Sequence, residues 1–468
     1  MAASHAWAAM THLTVDNPYT LETACEVPLA SLAEVDAVLD RAQAALPELA
    51  AVGLERRKAV ALSAIAAMEK SAERICQDIT RCMGKPLAQA QGELKTMAAR
   101  GRVMVELAER GLATIRVDGD DGIRRAIQKR PLGVVLDLPA WNYPLLTAVN
   151  VVVPAFLAGN AVIVKHSPRS PLCGPAFADA FAAAGAEPNW VQALDCDHDT
   201  TERAVADPRV DHVVFTGSVF GGERISQAAA GRFLQLGYEL GGNDPAYVAE
   251  DADLTRAVEG LVDGAIYNAG QSCCAVERVY VHARHYDAFV AAAERQVRAY
   301  VMGDPMHRST TLGPIAQPHH VGHLAALVAD AEDEGATLLC GGRVAEAVGR
   351  GRFFAPTLLS DVPPSARVMQ EEQFGPIVAV QRVQSDEEAL ALMSQTSYGL
   401  TASVWTSDMG RAERLAEQLK FGTIFMNRCD FVDPLLPWSG VGQSGRGHSL
   451  SVLGFDQLTR PRSLHLRP

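Results

Sequence analysis

The chain has 468 residues, 48% of them hydrophobic and 21% charged, which is enough to bury more than one ordinary core, so two or three domains are expected. Its 42 Lys and Arg against 55 Asp and Glu leave a net charge of −13, which opposes binding to nucleic acid or to an anionic membrane. Nine cysteines at irregular spacings, without a CxxC pair or a Cys/His cluster of zinc type, indicate neither a disulfide framework nor a metal site and fit reduced thiols in the cytoplasm.

The N-terminus, Met1 to Asn17, lacks a charged segment followed by an apolar core, so no secretory signal is recognisable. The first hundred residues read as helices. Ser31 with Glu34 forms a capping-box pattern, and Leu32, Val35, Val38, Leu39, Ala42 and Leu46 follow at helical spacing. A second helix is predicted from Leu54 to Cys82, stopping at Gly84-Lys85-Pro86, and a third from Leu87 to Leu112. Between Ile115 and Ile127, Asp118-Gly119-Asp120-Asp121-Gly122 is a turn signal inside polar, strand-like sequence, which predicts a protruding hairpin.

From Pro131 the pattern becomes short β-rich runs alternating with helical segments: Gly133 to Leu138, Ala161 to Lys165, Trp190 to Ala193 and Asp211 to Phe215. That alternation predicts a doubly wound parallel sheet. The most apolar run, Ala148 to Val164, is interrupted by Asn150, Pro154, Gly159 and Asn160 and reads as a buried helix turning into a buried strand, not as a membrane span. Further strands are predicted at Ala246 to Ala249, Arg278 to His282, Ile377 to Val383, Thr401 to Trp405 and Thr423 to Met426, which makes a second α/β unit. The tail from Leu458 to Leu466 alternates like an edge strand seeking a partner.

Chemistry first shows in Asn268-Ala269-Gly270-Gln271-Ser272-Cys273-Cys274 and Glu239-Leu240-Gly241-Gly242-Asn243. A thiolate attacks a carbonyl carbon readily, and a carboxylate can activate the water that releases an acyl intermediate. Two glycine patterns compete for a dinucleotide. Gly440, Gly442 and Gly445 spell GxGxxG but follow Pro437-Trp438-Ser439 with no βαβ unit behind them, so they read as a loop. Phe215-Thr216-Gly217-Ser218-Val219-Phe220-Gly221-Gly222 leaves a β-branched strand and opens a helix expected over Glu223 to Ala230; alone, it fits a phosphate cradle and an ordinary strand-to-helix turn equally well. Taken singly, Glu239 is equally a strand-end carboxylate, Asn142 a turn residue beside Pro144, Lys165 a solvated charge and Phe374 a core residue.

Five motifs change the weighting. Pro139-Ala140-Trp141-Asn142-Tyr143-Pro144, Phe215-Thr216-Gly217-Ser218 with Gly222, Glu239-Leu240-Gly241-Gly242, Gly270-Gln271-Ser272-Cys273 and Glu371-Glu372-Gln373-Phe374-Gly375-Pro376 occur in the order and approximate spacing of the aldehyde dehydrogenase superfamily. The chain resembles that family from Gly84-Lys85-Pro86 and Gln91-Gly92-Glu93 to near Leu458. The resemblance implies an α/β fold: a Rossmann-like coenzyme domain (1–114 and 131–238) interleaved with an α/β catalytic domain (239–452), plus a small β oligomerisation element (115–130 and 453–468). It implies NAD(P)-dependent oxidation of a small-molecule aldehyde to the acid by a homodimer or homotetramer. Cys273 would be the nucleophile, Glu239 the general base and Asn142 an oxyanion donor.

For the coenzyme, NAD or NADP, the resemblance implies Leu138, Pro139, Ala140, Trp141, Lys165, Ser167, Pro168, Gly217, Ser218, Gly222, Leu240, Gly241, Glu372 and Phe374. The family often has an acid where this chain has Pro168, and lysine where it has Asn243. Loss of that acid predicts use of both coenzymes, with Lys165, and after it Arg169 or His166, offering a partly exposed attraction to a 2′-phosphate. The aldehyde tunnel would involve Tyr143, Thr147, Asn150, Ser272, Cys274 and the loop from Arg428 to Val432. Cys274 also reads as a small buried residue, and Arg428 either meets a substrate carboxylate, as in a semialdehyde, or forms a surface ion pair. A cysteine hydrolase would need a histidine partner motif that is missing, a CoA-acylating dehydrogenase need not deprotonate water, and a non-enzymatic relative would not need Cys273, Glu239 and Asn142 together.

Overall fold

The computed structural model describes residues 11–119, 121–345 and 351–467; residues 1–10, part of the N-terminal segment read above, and Asp120 of the expected turn lie outside them. The chain opens with an antiparallel hairpin, β1 (His12–Asp16) and β2 (Thr23–Pro28), where only helices were expected. Val15 and Val27 are its buried apolar anchors, too few for period-two alternation to register. Four helices follow: α1 (Leu32–Ala51), with the full Ser31/Glu34 capping box, α2 (Leu54–Lys70), α3 (Ala72–Met83) and α4 (Leu87–Gly111). The single helix expected over Leu54 to Cys82 is therefore two. Ser71 closes α2 through its amide on the Ala67 carbonyl and opens α3 by accepting from Ile75. The buried stripe Ala61, Ala64, Ile65, Met68, Ile75, Cys76 and Ile79 nearly keeps phase across this break, which hides it from periodicity.

The hairpin β3 (Ile115–Val117) and β4 (Arg124–Pro131) precedes the first large sheet. That sheet is built from β5 (Val134–Leu138), α5 (Pro144–Ala158), β6 (Ala161–Val164), α6 (Cys173–Ala183), β7 (Val191–Ala193), α7 (His198–Ala206), β8 (His212–Thr216), α8 (Val219–Ala228) and β9 (Gln235–Glu239). Gly159, left-handed at φ 92°, ends α5, and Asn160 accepts from the Leu132 and Gly133 amides, so the apolar run turns from helix to strand. In space the parallel strands run β7, β6, β5, β8, β9. Connections leave β5 in opposite directions on its two sides, so a crevice opens beyond the carboxyl ends of β5 and β8.

The second sheet uses β10 (Asp244–Val248), α9 (Leu254–Ile266), β11 (Val276–His282), α10 (Tyr286–Arg298), α11 (His320–Asp333), β12 (Thr337–Cys340), β13 (Thr357–Ser360), α12 (Arg367–Gln370), β14 (Ile377–Val383), α13 (Asp386–Met393), β15 (Thr401–Trp405), α14 (Met409–Ala416) and β16 (Thr423–Met426). Its order is β12, β13, β14, β11, β10, β15, β16, parallel except for β12 against β13. β17 (Trp438–Ser439), β18 (Gly445–Arg446), β19 (His448–Ser449), α15 (Gly454–Gln457) and β20 (Thr459–Leu466) complete the chain. The GxGxxG glycines lie in the loop around β17 and β18, as expected, and β18 returns to the first sheet beside β9. The tail strand β20 finds a partner within the chain, pairing antiparallel with β4 over eight residues. Among the described residues no helix is long and apolar enough to cross a membrane.

Candidate active site

Between α9 and β11 the chain passes through three successive left-handed residues, Asn268 (φ 54°), Ala269 (φ 56°) and Gly270 (φ 68°). A Cβ on Gly270 would lie 2.0 Å from the Gly375 carbonyl oxygen, so only glycine fits. Such a backbone persists only when its surroundings fix it. Here Asn268 Nδ2 donates to the carbonyls of Gln271 (3.1 Å) and Asn142 (3.2 Å), while Gln271 Nε2 returns a bond to the Asn268 carbonyl at 3.0 Å. The loop before Cys273 is thereby tied to Asn142 in the loop between β5 and α5.

The two adjacent thiols differ. Cys273 is half-buried, whereas Cys274 is buried and donates to Asp430 Oδ1 at 3.1 Å, an oxygen that also accepts from Ser272 Oγ at 3.3 Å. Hydrogen bonding to Cys273, burial and the nearby Asp430 push the Cys274 thiol well above its ordinary range. Cys274 is thus held neutral, and Cys273 is the thiol with access.

Glu239 ends β9, facing a small cavity of ≈ 20 Å³ that is also lined by Asn150, His212, His448 and Ser449. That volume holds about one water. Burial raises the Glu239 carboxyl, while a 2.5 Å bond from Ser449 Oγ and the Arg100 charge pull it down. Arg100, on α4, donates to Asn150 Oδ1 at 2.9 Å, and burial lowers its guanidinium to about 10 against the opposing pull of Glu239. Asn142 is buried, and its neighbour Trp141 meets the Phe374 ring edge-on at 5.6 Å.

The glycines expected to hold a coenzyme sit close under neighbouring side chains, which a larger residue would have to displace. A Cβ on Gly217 would fall 2.6 Å from the Phe215 ring, one on Gly222 would press on Leu240 at 3.0 Å, and one on Gly241 would enter the Glu372 carboxylate at 2.4 Å. The helix expected over Glu223 to Ala230 begins earlier, at Val219, because Ser218 caps it through the Gly221 amide. Its first-turn amides therefore face the crevice beyond β8, which suits a pyrophosphate. Leu138, Pro139 and Ala140 are buried, and the Ser167 amide donates to the Pro139 carbonyl at 3.1 Å, which binds the Ser167-Pro168 segment to the end of β5. These residues fit a dinucleotide. Glu372 accepts from the Gly242 amide at 3.0 Å, and burial together with Glu277 raises its carboxyl to about 8.

Several expectations need correction. Lys165 is buried, not partly exposed, and lies near Asp195 and Asp197. Arg169 is engaged by Asp16 at 2.5 Å and by the Ala316 carbonyl, and His166 Nε2 bonds the Pro144 carbonyl, so neither is free for a phosphate. Arg428 forms no surface ion pair with a described residue; its guanidinium stacks over Phe431 at 3.3 Å. Asn150 turns its side chain to Arg100 beside the Glu239 cavity. Tyr143, under the Lys85 ammonium at 3.9 Å, is raised well above its usual range by burial and by Asp430, which puts it with Ser272, Cys274 and Asp430; Thr147 Oγ bonds back to the Tyr143 carbonyl.

Sequence reasoning missed Ser449, Arg100 and Glu277. Glu277 accepts from the Gln373 and Phe374 amides at 2.9 Å and from Asn243 Nδ2 at 3.0 Å, so the odd asparagine helps to hold the Glu372 loop. A charged pair inside the β-branched run Val276-Glu277-Arg278-Val279 was its only signal. Ser449 and Arg100 carried none, since each meets the Glu239 region from a distant element.

The Aldehyde dehydrogenase family matches residues 7–464 of this chain. A succinate-semialdehyde dehydrogenase [NADP(+)] of Deinococcus radiodurans is 35% identical over 452 residues, covering 97% of this chain and 94% of that protein. One of the same description from Mycolicibacterium paratuberculosis is 35% identical over 442 residues, covering 94% and 93%. Lactaldehyde dehydrogenase from Escherichia coli superposes with a TM-score of 0.93 at 31% identity, over 98% of this chain and 96% of that one.

Proposed function

The chain belongs to the aldehyde dehydrogenase family, an NAD(P)-dependent oxidoreductase of aldehydes, and from that premise we propose that Cys273, Glu239 and Asn142 carry the oxidation to the acid. Cys273 Sγ attacks the aldehyde carbon, and the Asn142 amide with a backbone N–H at the nucleophile donates to the oxyanion. A bound nicotinamide supplies the hydride acceptor. Loss of hydride from the tetrahedral carbon leaves a thioester on Cys273. Glu239, its carboxyl raised by burial, takes a proton from the attacking water, and the acid departs as the thiolate re-forms. The observation that carries this reading is the asymmetry of the two thiols, one accessible and one locked neutral against Asp430.

Lys165, Gly217, Ser218, Gly222, Leu240, Gly241, Glu372 and Phe374 hold the coenzyme in this reading, with Trp141 against Phe374. The substrate is a semialdehyde: the curated relatives act on one by name, and Arg428, free of any described carboxylate, offers a cation on the loop assigned to the tunnel. Domains are assigned as 1–114 with 131–238, 239–452, and 115–130 with 453–468, which is supported by the end of β9 at Glu239 and the start of β10 at Asp244. A cytoplasmic homodimer or homotetramer completes the proposal. Ile115, Val117 and Leu466 are exposed in the three-stranded sheet whose outer strand is β20, and such an edge invites a second copy. The test is Glu239→Gln mixed with coenzyme and succinate semialdehyde: mass spectrometry should find an acyl adduct on Cys273 that clears slowly and that added coenzyme A does not accelerate. Fast turnover of that variant at neutral pH removes Glu239 from the mechanism, and rapid oxidation of uncharged aldehydes alone rejects the semialdehyde.

A further inference from the structure

Away from the active site, two cysteines from separate elements meet. Cys25 sits on β2 and Cys82 in the last turn of α3, 57 residues apart, with their sulfurs 3.7 Å from each other. Cys25 is half-buried and Cys82 is buried, so one thiol is reachable from solvent and the other waits behind it. The other half-buried thiols besides Cys273, namely Cys340 and the tunnel-loop Cys429, touch no other cysteine sulfur among the described residues; Cys429 Sγ donates to the Gly260 carbonyl. The contact with Cys82 favours the thiolate of Cys25, lowering its titration point, against burial and the Asp78 and Asp195 charges, while Arg169 adds to the lowering. Cys82 moves the opposite way, by that same contact and by burial. Cys25 is therefore the sulfur an oxidant meets first and Cys82 the resolving thiol in contact behind it, the arrangement that redox-responsive cysteine pairs need.

We propose that Cys25 and Cys82 form a reversible oxidation site that a peroxide converts to a disulfide. The Cys25 thiolate attacks one peroxide oxygen; the O–O bond breaks, leaving a sulfenic acid on Cys25 and releasing water once the leaving oxygen is protonated. The Cys82 sulfur then attacks the Cys25 sulfur, the S–O bond breaks, and a second water departs with the Cys82 proton. Two electrons pass from the dithiol to the peroxide, and two thiols plus hydrogen peroxide become one disulfide plus two waters. The two sulfurs already lie in contact at 3.7 Å, so closing the bond requires them to approach by less than about 2 Å. Closure would fasten the β1–β2 hairpin to α3. That hairpin carries Asp16, the acid that holds Arg169 and Arg352.

The experiment uses the full chain with Cys273→Ala, so that the accessible active-site thiol does not consume oxidant. After brief hydrogen peroxide treatment and alkylation, peptide mapping should recover one cross-linked species joining the Cys25 and Cys82 peptides, two hydrogens lighter than the reduced pair and undone by dithiothreitol. Adding Cys82→Ser should stop the reaction at a sulfenic acid on Cys25 that dimedone traps, and Cys25→Ser should leave Cys82 reduced. The proposal is overturned if Cys25 stays fully alkylatable while other thiols oxidise, or if it proceeds to sulfinic acid with Cys82 still free.

Discussion

Removing the Ser449 hydroxyl should move the pH dependence of product release in a definite direction. Ser449 Oγ donates to Glu239 Oε1 at 2.5 Å, a bond that favours the carboxylate over the neutral acid. A hydrogen bond to a charged group contributes about 1.5–3 kcal/mol and one to a neutral group about 1 kcal/mol, so the difference between protonation states is about 0.5–2 kcal/mol. At about 1.4 kcal/mol per pH unit, Ser449→Ala should raise the Glu239 pKa by about one unit. Arg100 remains in place and limits the rise. The sign follows directly: a base that must be ionised to act needs higher pH when its donor is lost. The acidic limb of kcat, measured with an aldehyde whose burst kinetics show thioester hydrolysis to be limiting, should therefore shift upward by about one unit, with the alkaline plateau nearly unchanged. Ser449→Thr, which keeps a hydroxyl, should restore the wild-type limb. A limb that does not move, or moves to lower pH, refutes the assignment of either the bond or the base.

Cys273→Ala should abolish aldehyde oxidation while coenzyme still binds, and Cys274→Ala should keep substantial activity; the reverse pattern in steady-state assays exchanges their roles. Asn142→Ala should lose about 10²- to 10³-fold in turnover, the usual scale for one oxyanion donor, and an unchanged rate with a deuterated aldehyde showing hydride transfer to be limiting excludes it. Glu277→Gln weakens the acceptor of the Gln373 and Phe374 amides and should raise coenzyme KM about tenfold, equivalent to about 1.4 kcal/mol; an unaltered KM shows that the Glu372 loop holds itself. Both coenzymes should be used, with at most a modest lean to NADP through Lys165, and an NAD preference above about a hundredfold in kcat/KM, about 2.7 kcal/mol, would point to Asp195 or Asp197 beside that lysine as the excluding charge.

Much of the fold was legible where burial is one-dimensional. Ile377–Val383 and Thr401–Trp405 have the ends that the sequence predicts, because a strand inside a covered parallel sheet is a short apolar run and turn residues bound it; Thr423–Met426, the half-buried edge strand, keeps its predicted ends as well. The β1–β2 hairpin and the antiparallel edge β12 were missed, since each buries little and its alternation is weak. The break at Ser71 was invisible for the opposite reason, a buried stripe that nearly keeps phase across it.

The sequence by itself determined which residue types are present for the chemistry and in what order, because the glycines, the Cys273 loop and the Glu239 segment are local patterns with local causes. Gly270 illustrates it: left-handed backbone against the Gly375 carbonyl admits no side chain, so the motif is written in one residue. Only the tertiary structure decided how those residues are tuned. Ser449 reaches Glu239 across 210 residues, Arg100 meets Asn150 across 50, and Asp430 locks Cys274 across 156. It also removed Arg169 and His166 from the coenzyme by giving them other partners. Hydrogen bonds and desolvation act over a few ångströms in space, and proximity of that kind leaves no trace in sequence spacing.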